Sequence, residues 1–374
     1  MTPKKPSRKI LVVRRENIGD LILTTPLITL LRTHLPDAYI AALVNSYNAP
    51  VLAGNCDIDD VFIYTKGKHA DSWWGSIVAR YQLVRLFVAL RGMQFDDVIL
   101  AEPTYTPRNI RLARFILGGG RGHGGGLGGR RVVGFEHDNA THAGLDFVVA
   151  KTAIDGLHQA QIMLRVAHAY DITPPIGDMP ACRVGSVSDR DGTTRGGPLR
   201  VGLHISARKP SQRWPVAPFA ALAGQIQTRG AVKFRVFWSP GAADNALHPG
   251  DDEKVGALRA LLAASADGGE PIDVEFVQTV DLASLICAVD DVDMLICADG
   301  GAMHIAAGLG KPIVALFGDS DPIRWRPWGV PHRTLQVPSR DVASIAVSTV
   351  MTAYDELAPE CGFLAKTRTN ESEI

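Results

Sequence analysis

The sequence has no surplus of charge of either sign: 39 Lys and Arg stand against 39 Asp and Glu in 374 residues. That balance excludes a global field that would hold nucleic acid or an anionic membrane, and leaves only local patches to argue from. No apolar run approaches the roughly twenty residues of a membrane-spanning helix. The five cysteines, Cys56, Cys182, Cys287, Cys297 and Cys361, form no C-x-x-C pair, and no histidine beside them has zinc spacing. They read as buried thiols in a reducing compartment. The basic opening residues run straight into Ile10 to Val13, an apolar stretch too short for a signal peptide, so the chain is expected in the cytoplasm. Those residues have two readings: weak attraction to the inner face of the inner membrane, and a solvated tail.

What is present is an ordinary globular composition, 46% hydrophobic and 21% charged, with enough apolar mass for large cores. The length predicts about two or three domains. Strand-like runs at Ile10 to Val13, Tyr39 to Val44, Val61 to Tyr64, Val98 to Leu100 and Arg131 to Gly134 alternate with helix-like patterns at Leu27 to Leu35, Ile77 to Arg91 and Arg108 to Leu117. A second series begins at Leu199. Its strands are Leu199 to His204, Phe234 to Trp238, Val274 to Phe276, Met294 to Cys297 and Pro312 to Phe317. Helical patterns near Phe219 to Gln227, Glu253 to Ala264, Leu282 to Val289 and Ala302 to Leu309 separate them. Such alternation implies parallel sheets covered on both faces. The expected fold is α/β, two Rossmann-like domains facing across a cleft. The first spans 1–175, a Pro-, Gly- and Ser-rich linker 176–198, the second domain 199–358 and a tail 359–374. Gly118 to Gly129, with nine glycines in twelve residues, reads either as a loop that folds over substrate or as an insertion without a role.

Three blocks carry chemistry. In Cys297 to Pro312 an apolar strand ends in Asp299, Gly300 and Gly301, and a helix follows. The glycines admit a ligand close to the backbone, and the unpaired N–H groups of the helix start suit a pyrophosphate. His304, one turn in, reads as a phosphate donor or as a packed histidine. The second block, Arg14 to Pro26, follows the first strand, where open α/β sheets place ligands. It has one glycine rather than G-x-G-x-x-G, which disfavours dehydrogenase-type dinucleotide binding. Asp20 reads as a general base or as an aspartate at a helix N-terminus, and Pro26 as the start of a helix or a kink within one. The third block is "VGLHISARKPSQRWPVAPFAALA".

Together, "ILVVRRENIGDLILTTPLITLLRTHLPDAYIAALV", "VGLHISARKPSQRWPVAPFAALA" and "ADGGAMHIAAGLGKPIVALFGDSDPIRWRPWG" resemble the lipopolysaccharide heptosyltransferases, glycosyltransferase family 9, over about Ile10 to Trp328. The resemblance implies the two-domain glycosyltransferase fold called GT-B and a cytoplasmic enzyme of lipopolysaccharide biosynthesis. It implies transfer of a sugar, heptose from ADP-heptose being the family's commonest donor, with inversion and without a metal or other cofactor. The acceptor would be an anionic lipid-linked oligosaccharide.

By similarity Asp20 would deprotonate the acceptor, with Arg14 and Asn17 beside it on the acceptor side. Asp299, Gly300, Gly301 and His304 would line the donor site, Ser206 and Arg208 would reach the phosphates, and Glu253 would contact the nucleoside unless it only caps its helix. Two departures stand out. Gln212 replaces a lysine found in some members, so the cation opposing the leaving diphosphate must be Arg213, Arg208 or Lys209; Gly300 replaces a Ser or Thr. Arg108, Arg111 and Arg114, three apart, read as an acceptor-binding row or as a solvated basic face. Asp291-Val292-Asp293 and Asp319-Ser320-Asp321 match Asp-x-Asp, a metal-binding pattern frequent by chance, and no metal is expected. Rival functions are a nucleotide-sugar epimerase of similar architecture and a silent nucleotide-sugar-binding protein.

Overall fold

The computed structural model describes residues 6–65, 73–118, 129–136, 143–150, 152, 154–177, 179–185, 197–245, 249–265 and 271–363. The glycine-rich stretch lies outside them except at its two ends. By its contacts the chain divides into two units, Met1–Val187 and Ser188–Ile374.

The first unit runs β1 (Lys9–Val13), α1 (Ile18–Ile22), α2 (Thr25–His34), β2 (Tyr39–Asn45), β3 (Asp60–Tyr64), α3 (Trp73–Gly92), β4 (Asp97–Leu100), α4 (Pro107–Leu117), β5 (Arg131–Phe135), β6 (Phe147–Val149) and α5 (Gln159–Leu164). Its six strands pair in the order β3-β2-β1-β4-β5-β6, all parallel. Successive side chains of β1 serve two cores. Ile10 and Val12 pack with Leu27, Leu31 and Ile162 on one face of the sheet. Leu11 and Val13 pack with Leu90, Phe95 and Ile116 on the other. Burial on both faces is why the strand reads as an unbroken apolar run rather than an alternating one.

Helix α1 stops at Ile22, and α2 begins with Pro26 in its first turn, so the proline starts a helix, where its missing N–H has no bond to lose. Part of the segment expected as linker packs on this unit. Cys182 and Val184 are buried, the Arg183 N–H donates to Thr25 Oγ1 at 2.9 Å, and the Gly185 N–H to the Val51 carbonyl at 3.0 Å.

The second unit runs β7 (Leu199–His204), α6 (Val216–Gln227), β8 (Val232–Trp238), α7 (Asp252–Ser265), β9 (Val274–Gln278), α8 (Leu282–Asp290), β10 (Met294–Ala298), α9 (Gly301–Gly308), β11 (Ile313–Phe317), α10 (Pro322–Trp325), β12 (His332–Gln336) and α11 (Val347–Glu360). Its sheet order is β12-β11-β10-β7-β8-β9, again all parallel. Read from the other edge, this is the order of the first sheet. Both are the Rossmann order, in which connections reverse direction between the first and fourth strands and leave a crevice at their carboxyl ends. Helix α11 runs two residues into the expected tail, and Phe363 packs against the core beyond it.

All five cysteines are free thiols, but only Cys182 and Cys297 are buried, so the expectation of buried thiols fails for Cys56 and Cys287, which are exposed. Cys287 falls on the outer side of α8, whose buried positions are Leu282, Ala288 and Val289.

Candidate functional site

At the reversal point of the first sheet, β1 feeds the loop that carries Arg14 and α1. Asn17 is the N-cap of α1 and Asp20 its third residue, and the two close a capping box. Asp20 Oδ2 accepts from the Asn17 N–H at 3.2 Å and from its Nδ2 at 3.0 Å. Asp20 Oδ1 accepts from Arg14 Nη2 at 2.8 Å. The carboxylate is therefore fixed in direction, and with 9% exposure it keeps a narrow face to solvent. The two readings of Asp20 do not compete: the capping contacts use some of its lone pairs and hold the rest in place.

Arg14 is 2% exposed. Its Nη1 also donates to the Ala101 carbonyl at the end of β4, and Glu16 Oε2 lies 3.1 Å from its Nε. Buried there, Arg14 holds Asp20 in direction. Beyond it, Arg15 lies over the Tyr64 ring and donates to Asn109 Oδ1, while Asn109 donates to Glu102 at 2.7 Å. Burial raises the carboxyl pKa of Glu16, opposed by Arg14 and reinforced by Glu102 and Asp20.

Arg108 and Arg111 are exposed on α4 with no hydrogen bond or ion pair among the described residues. Arg114, third in that row, is instead tied to Asp146 at 2.8 Å.

At the reversal point of the second sheet, the loop after β7 meets the loop after β10. Asp299 Oδ2 accepts from Gln212 Nε2 at 3.0 Å and from Ser320 Oγ at 2.5 Å. These two donors orient the carboxylate in front of α9, whose first residues are Gly301 and Ala302. A Cβ at Gly300 would meet nothing within 4 Å, so backbone and open space stand before the helix N-terminus. His304 is 4% exposed and packs edge-to-face with Trp325, ring centres 6.5 Å apart. Its ring belongs to the wall of the site more than to its mouth. The same crevice needs Gly318, because a Cβ there would stand 2.3 Å from the Ser211 carbonyl.

Three cations and four acids near this crevice sort by their partners. Arg213 forms an ion pair with the fully buried Asp251 and donates to the Ala207 carbonyl at 2.7 Å. Lys209 is held 3.3 Å from Asp319. Arg208 is exposed with no partner among the described residues. Ser206 Oγ accepts from the Ser239 N–H at 2.9 Å, which leaves its own hydroxyl proton to give. Asp252 accepts from the Trp238 indole and the Gly241 N–H, both at 2.9 Å. Glu253, the last of the acids, has no partner among the described residues.

Arg213, Val216, Ala243, Gly250, Glu253 and Lys254, together with Asp251, line a pocket of about 300 Å³, the low end of what a small ligand needs. Sequence reasoning missed Asp251 and Lys254. Lys254 is half-buried and donates to the Ile205 carbonyl at 2.6 Å. Desolvation brings its pKa down to about 8, with Arg213 adding to the fall and Asp251 opposing it. Desolvation, with Lys254 nearby, pushes the His204 imidazole down to about 4. Nothing in the spacing of a lone lysine inside a helical pattern announces such a site.

The Asp-x-Asp matches have structural partners. Asp291 pairs with Arg200 and Arg235, Asp293 accepts from the Arg200 N–H, and Asp321 caps α10.

Known proteins resemble this chain at both levels. Lipopolysaccharide heptosyltransferase 3 of Escherichia coli is 25% identical over 365 residues, covering 91% of this chain and 96% of the relative. The crystal structure of the glycosyl transferase family 9 from Veillonella parvula DSM 2008 superposes with a TM-score of 0.69 at 20% identity, covering 95% of this chain and 98% of that one. The structure of E. coli heptosyltransferase WaaC with ADP gives 0.70 at 16% identity, covering 94% and 100%. The family model for glycosyltransferase family 9 (heptosyltransferase) matches residues 133–349, from β5 to the start of α11 and so across the whole crevice of the second sheet. With more than half of its length matched, the chain belongs to glycosyltransferase family 9, the heptosyltransferase family, and is a glycosyltransferase.

Proposed function

We propose that this protein transfers heptose from ADP-heptose to a lipid-linked oligosaccharide of the lipopolysaccharide type, with inversion and without a metal. The observation that carries the reading is the oriented, nearly buried carboxylate of Asp20 at the reversal point of the first sheet. A base needs direction and a dry setting, and it has both. The acceptor hydroxyl gives its proton to Asp20 as its oxygen bonds to the anomeric carbon. The bond from that carbon to the diphosphate breaks on the opposite side, so configuration inverts.

The first unit is the acceptor domain in this reading and the second the donor domain. The pocket lined by Glu253 and Lys254 takes the nucleoside, and Glu253 accepts from the ribose. The amides at the start of α9, the Ser206 hydroxyl and Arg208 meet the charge that develops on the leaving ADP. Of the three cations that stand in for the missing lysine, Arg208 is the one without a partner among the described residues. Supporting names come from relatives: one solved homologue is E. coli heptosyltransferase WaaC with ADP-2-deoxy-2-fluoro heptose. The lipid-linked acceptor places the work at the inner face of the inner membrane.

The test is ADP release from ADP-heptose with heptose-deficient lipopolysaccharide, run with and without EDTA. Acceptor-dependent release that survives chelation supports the reading. Donor loss without acceptor would point to an epimerase or hydrolase, and binding without turnover to a silent protein.

A further inference from the structure

Helix α3 breaks the usual pattern of a surface helix. Its inner side, Leu86, Phe87 and Leu90, packs on the core beneath the first sheet. An outer side should then be polar. Instead Val78, Tyr81, Val84 and Val88 are 50%, 62%, 60% and 57% exposed. Their spacing of three, three and four places them along one face of the helix, opposite the packed one. None of the twenty residues of α3 is an Asp or Glu. The charges on this surface are arginines: Arg85 lies over the Tyr81 ring, and Arg91 lies over the exposed ring of Phe115 on α4. Arg111, four residues from Phe115 and on the same side of α4, continues the basic border with no hydrogen bond or ion pair among the described residues.

We infer that this outer face of α3, with its arginine border, is a membrane-docking surface that seats the protein on an anionic lipid bilayer. Branched aliphatic side chains and a tyrosine flanked by arginines match the boundary between acyl chains and negative headgroups. A second copy fits less well, since self-pairing of this face would bring arginines together, and neither α3 nor α4 carries an acid to meet them. No described helix is long and apolar enough to cross a membrane, so the contact lies in the plane of the interface. The inference deepens the reading of a lipid-linked acceptor and rests on it for its purpose, though the contact itself is measured without any substrate.

The experiment is sedimentation of the full-length protein with phosphatidylglycerol vesicles and with phosphatidylcholine vesicles, for wild type, Val84→Glu/Val88→Glu and Arg85→Glu. Wild type should pellet with phosphatidylglycerol and much less with phosphatidylcholine. The double variant should lose the bound fraction by about tenfold or more in bound-to-free ratio, and Arg85→Glu should lose part of it. All three positions are exposed, so the variants should keep the wild-type circular dichroism spectrum, ADP affinity and transfer to a soluble, delipidated acceptor. Equal binding by wild type and the double variant overturns the inference, as does no binding by wild type. So does a wild-type oligomer that the double variant turns into a monomer, which would make the face an interface between copies. Failure of transfer in wild type as well, with vesicle binding intact, would instead remove the substrate reading and leave the docking surface standing.

Discussion

Asp20 and Arg208 show how a side chain's existing partners decide what it can still do. Asp20 has Arg14 and Asn17 to aim it, so removing its charge while keeping its shape isolates the chemistry. Asp20→Asn is expected to lower the rate of acceptor-dependent ADP release by about 10²- to 10⁴-fold while leaving ADP affinity at the wild-type value in calorimetry. A matching fall in ADP affinity would move Asp20 from catalysis to structure. The two arginines after β7 should separate in the same way. Arg213→Ala leaves the Asp251 carboxylate buried without its cation, a loss of roughly 3–5 kcal/mol in unfolding free energy. Arg208→Ala touches no pair and should change stability by only about 0.5 kcal/mol or less. Its cost should appear as a KM for the nucleotide sugar raised about tenfold through one lost charged contact. Denaturant titration and initial rates on both variants distinguish the roles; equal stability loss would contradict the assignment.

At the level of elements, legibility in the sequence followed burial. Strands β1, β2, β4, β10 and β11 are buried along nearly their whole length and read as apolar runs. Strand β12 has no fully buried residue and β6 has three residues, so neither has a pattern to recognise. The loops proposed to meet substrate were legible because glycine and proline punctuate them after strands. The pairings across them were not, since Gln212 with Asp299, or Arg213 with Asp251, are contacts over tens of residues that no local spacing encodes. Gly318 is a test of such a contact. Adding one methyl forces the 210–212 turn away from the loop after β11, an overpacking cost of about 1–3 kcal/mol. Gly318→Ala should lower Tm and weaken ADP binding together, because Gln212, which holds Asp299, rides on that turn. A variant with lowered Tm and unchanged ADP affinity would show that the turn does not serve the nucleotide.

For the whole molecule, two desolvated bases contribute to the pH dependence of stability in separate windows. His204 has its folded pKa near 4 against an ordinary 6.5, and Lys254 near 8 against 10.5. In each window the unfolded chain binds that group's proton and the folded chain does not, so the group's contribution to stability rises with pH across it. Acidification therefore removes stability from about pH 6.5 down to 4, and the contribution is flat below. Alkalinisation adds it from about pH 8 up to 10.5. Each shift corresponds to at most about 3 kcal/mol, since 1.36 kcal/mol attends each pKa unit. Replacing His204 by Gln should flatten the acid window and leave the alkaline one; replacing Lys254 by Met should do the reverse. Urea unfolding at half-unit intervals from pH 4 to 10.5 on the three proteins reads both slopes. Burial raises the pKa of Cys182, Cys297, Tyr170 and Tyr354, which pulls the wild-type slope the other way above about pH 9. Lys254 is therefore read from the difference between wild type and its Met variant. A wild-type slope no more positive than the variant's between about pH 8 and 10.5 would mean that the attraction of Asp251 for the charged lysine outweighs its desolvation.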